Sequence, residues 1–125
     1  MSALDSFRQF VGAINSHDVP AISAQMTTDI VFVDSLGHPV RGAASMEAGW
    51  RGYFAMCPDY AVQIAHAIPD GETVLAVGQA GGTIDGIVWR IPAAWKAVIR
   101  GAQIAEWHVF ADNKPVYDIL AKRQK

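Results

Sequence analysis

The sequence predicts an α+β fold in which helices at the front of the chain cover one face of a curved antiparallel sheet made by the remainder. Three observations carry this. Residues 3–57 show helical spacing interrupted by one short β-branched run. Residues 59–112 hold four strand-like runs in succession. The runs are separated by PDG, DG and RGA, all turn-forming combinations. Helices first and strands afterwards is the pattern of segregated layers, and strands joined by tight turns pair antiparallel.

The elements follow in order. In ALDSFRQFVGAINS, Leu4, Phe7, Phe10, Val11 and Ile14 recur at helical spacing and predict an amphipathic first helix. Asp18 is placed to cap a short second helix, with Pro20 tolerated in its first turn. A first strand is expected over 29–35, followed by a turn through GHPVRG. AASMEAGWRGYFAMC predicts a third helix that turns Met46, Trp50, Tyr53 or Phe54, and Cys57 to the core, with Pro58 ending it. The four runs 59–68, 72–84, 86–99 and 102–112 form the meander, and Pro92 predicts a bulge or bend in the third. The tail NKPVYDILAKRQK reads as a last strand or a short helix with a frayed basic end.

Composition bounds the function. The 125 residues fit one domain spanning the chain, and the net charge of −2 gives no basic field for nucleic acid or an anionic membrane. Cys57 is the single cysteine, so no disulfide staples the fold, which suits a reducing compartment. No run approaches the roughly 20 apolar residues of a membrane span, and the amphipathic N-terminus lacks the apolar stretch of a signal peptide. The expectation is a cytoplasmic protein.

Asp34 is the first candidate for chemistry. Strand alternation puts it on the face of Ile30 and Phe32. A carboxylate ending an apolar face is either a general base in an apolar pocket, its pKa raised by burial, or the start of a DSLG turn. The four tryptophans come next. Alternation groups Trp89, Ile91, Ala93 and Trp95, continuing to Ala97 and Ile99, and groups Trp107, Val109 and Ala111. Either face is core filling or the wall of a pocket for a flat apolar ligand, with an indole N–H such as that of Trp95 as donor. The expected surroundings of Asp34 are Phe10, Phe32, Trp50, Trp95 and Trp107.

The four histidines, His17, His38, His66 and His108, show no metal-ligand spacing, and no metal or other cofactor is expected. The glycines of GQAGGTIDG do not form a dinucleotide fingerprint and suit bending of a sheet instead. Glu106, His108, Phe110 and Asp112 alternate away from Trp107, so an outward Phe110 needs cover.

The stretches FVGAINSHDVPAISAQMTTDIVFVDSLGHPVRGAASM and WRIPAAWKAVIRGAQIAEWHVFADNKPVYDIL resemble the nuclear transport factor 2-like superfamily, in particular its SnoaL-like proteins. The resemblance implies a cystatin-like cone, a homodimer packed through the back of the sheet, and a pocket at the open mouth of the cone. It also implies roles position by position. The aspartate that serves as base in ketosteroid isomerases matches Asp34, and in limonene epoxide hydrolases the same place holds a residue that positions water. The oxyanion tyrosine of the isomerases falls on Phe10, which cannot donate a hydrogen bond. Their protonated aspartate falls on Trp95 or Ala94, so that oxyanion hole is absent or rebuilt. Where the epoxide hydrolases carry WRDYFD, this chain has WHVFAD. The late aspartate of the polyketide cyclases has its nearest match in Asp112.

The resulting expectation is a small cofactor-independent enzyme of SnoaL-like type. It would do acid–base chemistry on a compact apolar or aromatic carbonyl compound, with Asp34 as base. The alternative is a non-catalytic ligand-binding or dimeric accessory domain.

Overall fold

The computed structural model describes residues 2–124. Helix α1, Ala3–Asn15, opens on a capping box: Ser2 Oγ accepts the amide of Asp5, and the Asp5 carboxylate accepts the amide of Ser2. Its stripe of Phe7, Phe10, Val11 and Ile14 is buried. Helix α2, Val19–Ala24, is capped by Asp18, whose carboxylate accepts from the Ala21 amide, with Pro20 in the first turn. Helix α3, Ala43–Met56, buries Met46 and Trp50, leaves Tyr53 and Phe54 half-buried, and is followed by a fully buried Cys57.

The strands are β1 Met26–Val33, β2 Pro39–Arg41, β3 Ala61–Asp70, β4 Thr73–Ile84, β5 Ile87–Arg100 and β6 Gln103–Ala111. They form one sheet in the order β2-β1-β6-β5-β4-β3. β3 to β6 are the expected antiparallel meander. The turns at Asp85–Gly86 and Gly101–Ala102 have both residues at positive φ, between 53° and 77°. That is the two-residue geometry that matches the twist of the flanking strands. α1 packs across β3, β4, β5 and β6, and α3 packs on β1 and β2, so the helices line one face.

Four details depart from the sequence expectation. The first strand runs 26–33 rather than 29–35, so Asp34 has already left it. β1 lies parallel to β6, with Phe32 opposite Trp107, a pairing between segments some seventy residues apart in sequence. Pro92 makes no bulge: the β4–β5 register passes unbroken through Gln79 and Pro92. Pairing of β5 with β6 begins one residue later, at Ala93 and Ala111. Pro92 thus has a neighbouring strand on one side only, and its missing N–H removes nothing from β6. The register breaks that bend the sheet lie instead at Ile64/His66 in β3 and at Val98/Ile99 in β5.

The tail resolves as a helix, α4, Lys114–Ala121, with Val116 and Ile119 buried, and a 3₁₀ turn, Lys122–Gln124. Its basic end is anchored, because the Arg123 guanidinium grips both oxygens of Asp85; Lys125 lies outside the described residues. Residues at the end of α1 and just beyond it fasten the start of β3 to the helices. Asn15 donates to the Val62 carbonyl and accepts the Val62 amide, at 2.9 and 2.8 Å. His17 Nε2–H donates to the Tyr60 carbonyl at 2.6 Å, while its ring stacks on Phe54.

Candidate functional site

A cavity of about 360 Å³ opens between α3, the concave face of β4 to β6, and the β1–β2 hairpin. Its space comes from side-chain size. Ala111 and Ala93 stand side by side on β6 and β5, and Ala80 lines the cavity from β4. Large residues flank this small-residue band: Trp95 on one side, Ile91 and Trp89 on the other, all facing inward as strand alternation predicts. Trp107 and Val109 from β6 and Trp50 and Met46 from α3 complete the apolar wall.

Asp34 is the only charged side chain among the residues lining the cavity. It occupies the mouth. Its Oδ1 accepts the amides of Leu36 and His38, each at 2.9 Å, while Oδ2 faces only His38 Nδ1 at 3.6 Å. The side chain is 38% exposed. The turn reading and the pocket reading therefore both describe it: one oxygen organises the hairpin and the other is left toward the opening. Ser35 and Asn113 share the rim, where Asn113 Nδ2 donates to Ser35 Oγ at 2.7 Å and joins the hairpin to the start of α4.

Tyr53 and Tyr60 form the third side. Their rings meet edge to face with centroids 4.8 Å apart, and Tyr60 stacks on Trp89 at 6.1 Å. Burial pushes both phenol pKa values well above their ordinary range, so both remain neutral hydroxyls. The indole nitrogens of Trp50 and Trp89 are sealed in the wall without an acceptor among the described residues; that of Trp89 stands beside the Cys57 sulfur but makes no well-formed hydrogen bond. Burial also raises the Cys57 pKa. Its thiol points at the Asp59 carboxylate, 3.6 Å away, so it is no nucleophile. The Thr83 hydroxyl and amide hold the Asp59 carboxyl below its ordinary pKa range.

Comparison with known proteins places this geometry. The model of the SnoaL-like domain matches residues 7–116. The chain belongs to the SnoaL-like family. No curated protein matches it. Among solved structures, a putative SnoaL-like polyketide cyclase from Shewanella denitrificans is 18% identical, over 96% of this chain and 97% of that one, with a TM-score of 0.85. An uncharacterised cystatin-fold protein from Novosphingobium aromaticivorans is 23% identical, over 88% and 98%, at 0.81. An LEH-like epoxide hydrolase from M. tuberculosis is 19% identical, over 95% and 86%, also at 0.81. These likenesses show the fold.

Within this SnoaL-like domain, Phe32, Trp50, Trp95 and Trp107 line the cavity with Asp34, as the sequence suggests. Phe10 does not. It is fully buried behind Trp107, packed edge-on with centroids 4.9 Å apart, and holds that indole from the far side. Asp34 is also shallower than expected, at the mouth rather than enclosed by tryptophans. Asp112 accepts the Lys114 amide and shapes the entry to α4, and the His38 side chain is 73% exposed. Tyr60, Ser35 and Asn113 were not singled out by sequence, and Tyr53, expected with Phe54 as a core-facing alternative of the third helix, lines the cavity.

No three His, Cys, Asp or Glu side chains converge among the described residues, and no described helix is long and apolar enough to cross a membrane.

Proposed function

We propose that this SnoaL-like domain is a small cofactor-independent enzyme that moves a proton on a compact apolar or aromatic carbonyl compound, with Asp34 as the general base. One observation carries the reading: a largely apolar cavity is lined by a single charged group, a carboxylate whose Oδ1 is fixed by two amides while Oδ2 has His38 Nδ1 beside it at 3.6 Å and no amide donor. A base so held takes a proton from carbon beside the carbonyl and returns it at the same or a neighbouring position. The neutral phenols of Tyr53 and Tyr60 are the donors available for the enolate oxygen.

The test is solvent exchange. In D₂O, the chain should catalyse α-hydrogen exchange on members of a panel of aryl ketones and diketones. Asp34→Asn should lose about 10²–10⁴-fold of that rate while keeping the fold. Exchange unchanged in Asp34→Asn would take the role of base away from Asp34; ligand binding without exchange would leave the second reading, a binding domain. The half-exposed position of Asp34 favours that alternative.

The reading includes a homodimer in the cytoplasm. Val77, Ala94 and Phe110 form one outward row across three strands, and Leu75, Val77 and Phe110 are each about half exposed. Such a strip on the back of the sheet suits an isologous contact. Light scattering at micromolar concentration should give twice the chain mass, and Phe110→Lys should shift it to the monomer. A wild-type monomer at that concentration would discard the dimer.

A further inference from the structure

The charge pattern of the cavity says more about the ligand. Asp34 has no lysine or arginine counterpart in the lining. Most of the remaining wall is aromatic ring and alkyl surface, and the Tyr53–Tyr60–Trp89 run is continuous. The sheet register brings the carboxylate to that wall. Val33 lies opposite His108, and Trp95 lies opposite Val109. β1 ends at Val33, and the next residue, Asp34, lines the cavity together with Val109 and Trp95.

Ring faces carry the negative lobe of the aromatic quadrupole and attract cations, tryptophan most strongly. The indole N–H groups of Trp50 and Trp89, which would favour an anion, are sealed from the opening. A ligand carboxylate or phosphate would meet the repulsion of Asp34 and no countercharge in the lining; the basic side chain beside Oδ2 is the exposed His38, whose Nδ1 lies 3.6 Å away outside the lining. A ligand cation would meet Oδ2 at the mouth and ring faces within, and it would lose less on leaving water than a purely apolar wall would cause.

We propose that the cavity takes a small cationic amine, a tertiary or quaternary ammonium on a compact apolar or aromatic body, with the ammonium between Asp34 Oδ2 and the tryptophan–tyrosine wall. This rests on the reading of the cavity as the ligand site and adds the charge of its ligand. An ammonium next to the reacting carbon also acidifies it, which fits a carboxylate base.

The experiment compares three probes of similar shape by tryptophan fluorescence, at pH 8 and low salt: benzyltrimethylammonium, its neutral carbon isostere neopentylbenzene, and phenylacetate. All four tryptophans line the cavity, so each probe reports on entry. The cation should bind about tenfold more tightly than the isostere, and phenylacetate more weakly than either. In Asp34→Asn the cation should lose roughly threefold or more of its affinity, with the isostere unchanged. An isostere that binds as well as the cation, or a preferred phenylacetate, overturns the cation assignment and leaves the cavity reading intact. Unchanged cation affinity in Asp34→Asn overturns the role given to Oδ2. Failure of all three probes to bind overturns both readings. The probe comparison on the unmodified chain decides even if Asp34→Asn were to unfold.

Discussion

Trp107→Ala is expected to lower stability by about 3–5 kcal/mol, the range for truncating a large core aromatic. Trp107 is 1% exposed and held on two sides by α1, with Phe7 stacked at 5.6 Å and Phe10 edge-on at 4.9 Å. It also stands opposite Phe32 on β1 and Ala97 on β5. One side chain thus ties the first helix, the parallel strand and the meander together. Removing it opens a void between two phenylalanines that their backbones hold apart, and the void merges with the ligand cavity. Domains of this size have total stabilities of about 5–15 kcal/mol, so the variant should lie near the edge of folding. Urea unfolding of both forms gives the number. A loss under about 1 kcal/mol would mean that Phe7 and Phe10 collapse into the gap.

The residues that were legible in the sequence are those whose signal is local. The alternation from Trp89 to Ile99 holds without a slip, because each step along β5 turns the side chain over and nothing breaks the β4–β5 register. The Asp18 cap reaches only three residues along the chain, to Ala21, and appears as read. What was not legible depends on distance. Alternation places Asp34 on the pocket side but not at a depth; the depth follows from β1 ending at Val33 and from the Leu36 and His38 amides claiming Oδ1. Phe10 shares its helical stripe with true core residues, and only the position of Trp107, from the far end of the chain, puts it behind the wall. Tyr60 falls within the strand-like run 59–68, but β3 begins only at Ala61, so strand alternation does not tell where Tyr60 points. His17, which fixes it, is 43 residues away. The parallel entry of β1 beside β6 has no turn to announce it, since the two strands are joined through the whole meander. Pro92 is a related case. Its cost depends on whether a strand lies on its donor side, and that is a property of the sheet rather than of the residue.

Gly78→Ala is expected to prevent the native sheet from forming, or to destabilise it by about 3 kcal/mol or more, in the class of changes that overpack a site unable to yield. The reason lies across the ladder. Between Ile64 and His66 the register of β3 shifts by one residue, and the bulge presses the β3 backbone onto Gly78. A Cβ at this position would overlap the Gln63 carbonyl oxygen and would lie 2.9 Å from its carbon and 3.0 Å from Ile64 Cα. All three are backbone atoms, so no rotamer change relieves the overlap, and the Asn15 bonds to Val62 anchor that same strand to α1. The contrast is Gly49→Ala in α3, where an added Cβ meets nothing within 4 Å. There alanine should be neutral or stabilising by up to about 1 kcal/mol, because it also restricts the unfolded chain. Thermal melts of the two variants beside the parent check this. A Gly78→Ala protein melting near the parent would show that the bulge can move to another residue of β3. The bend would then not depend on contact with Gly78, and the cavity that it helps to shape should change volume with no loss of fold.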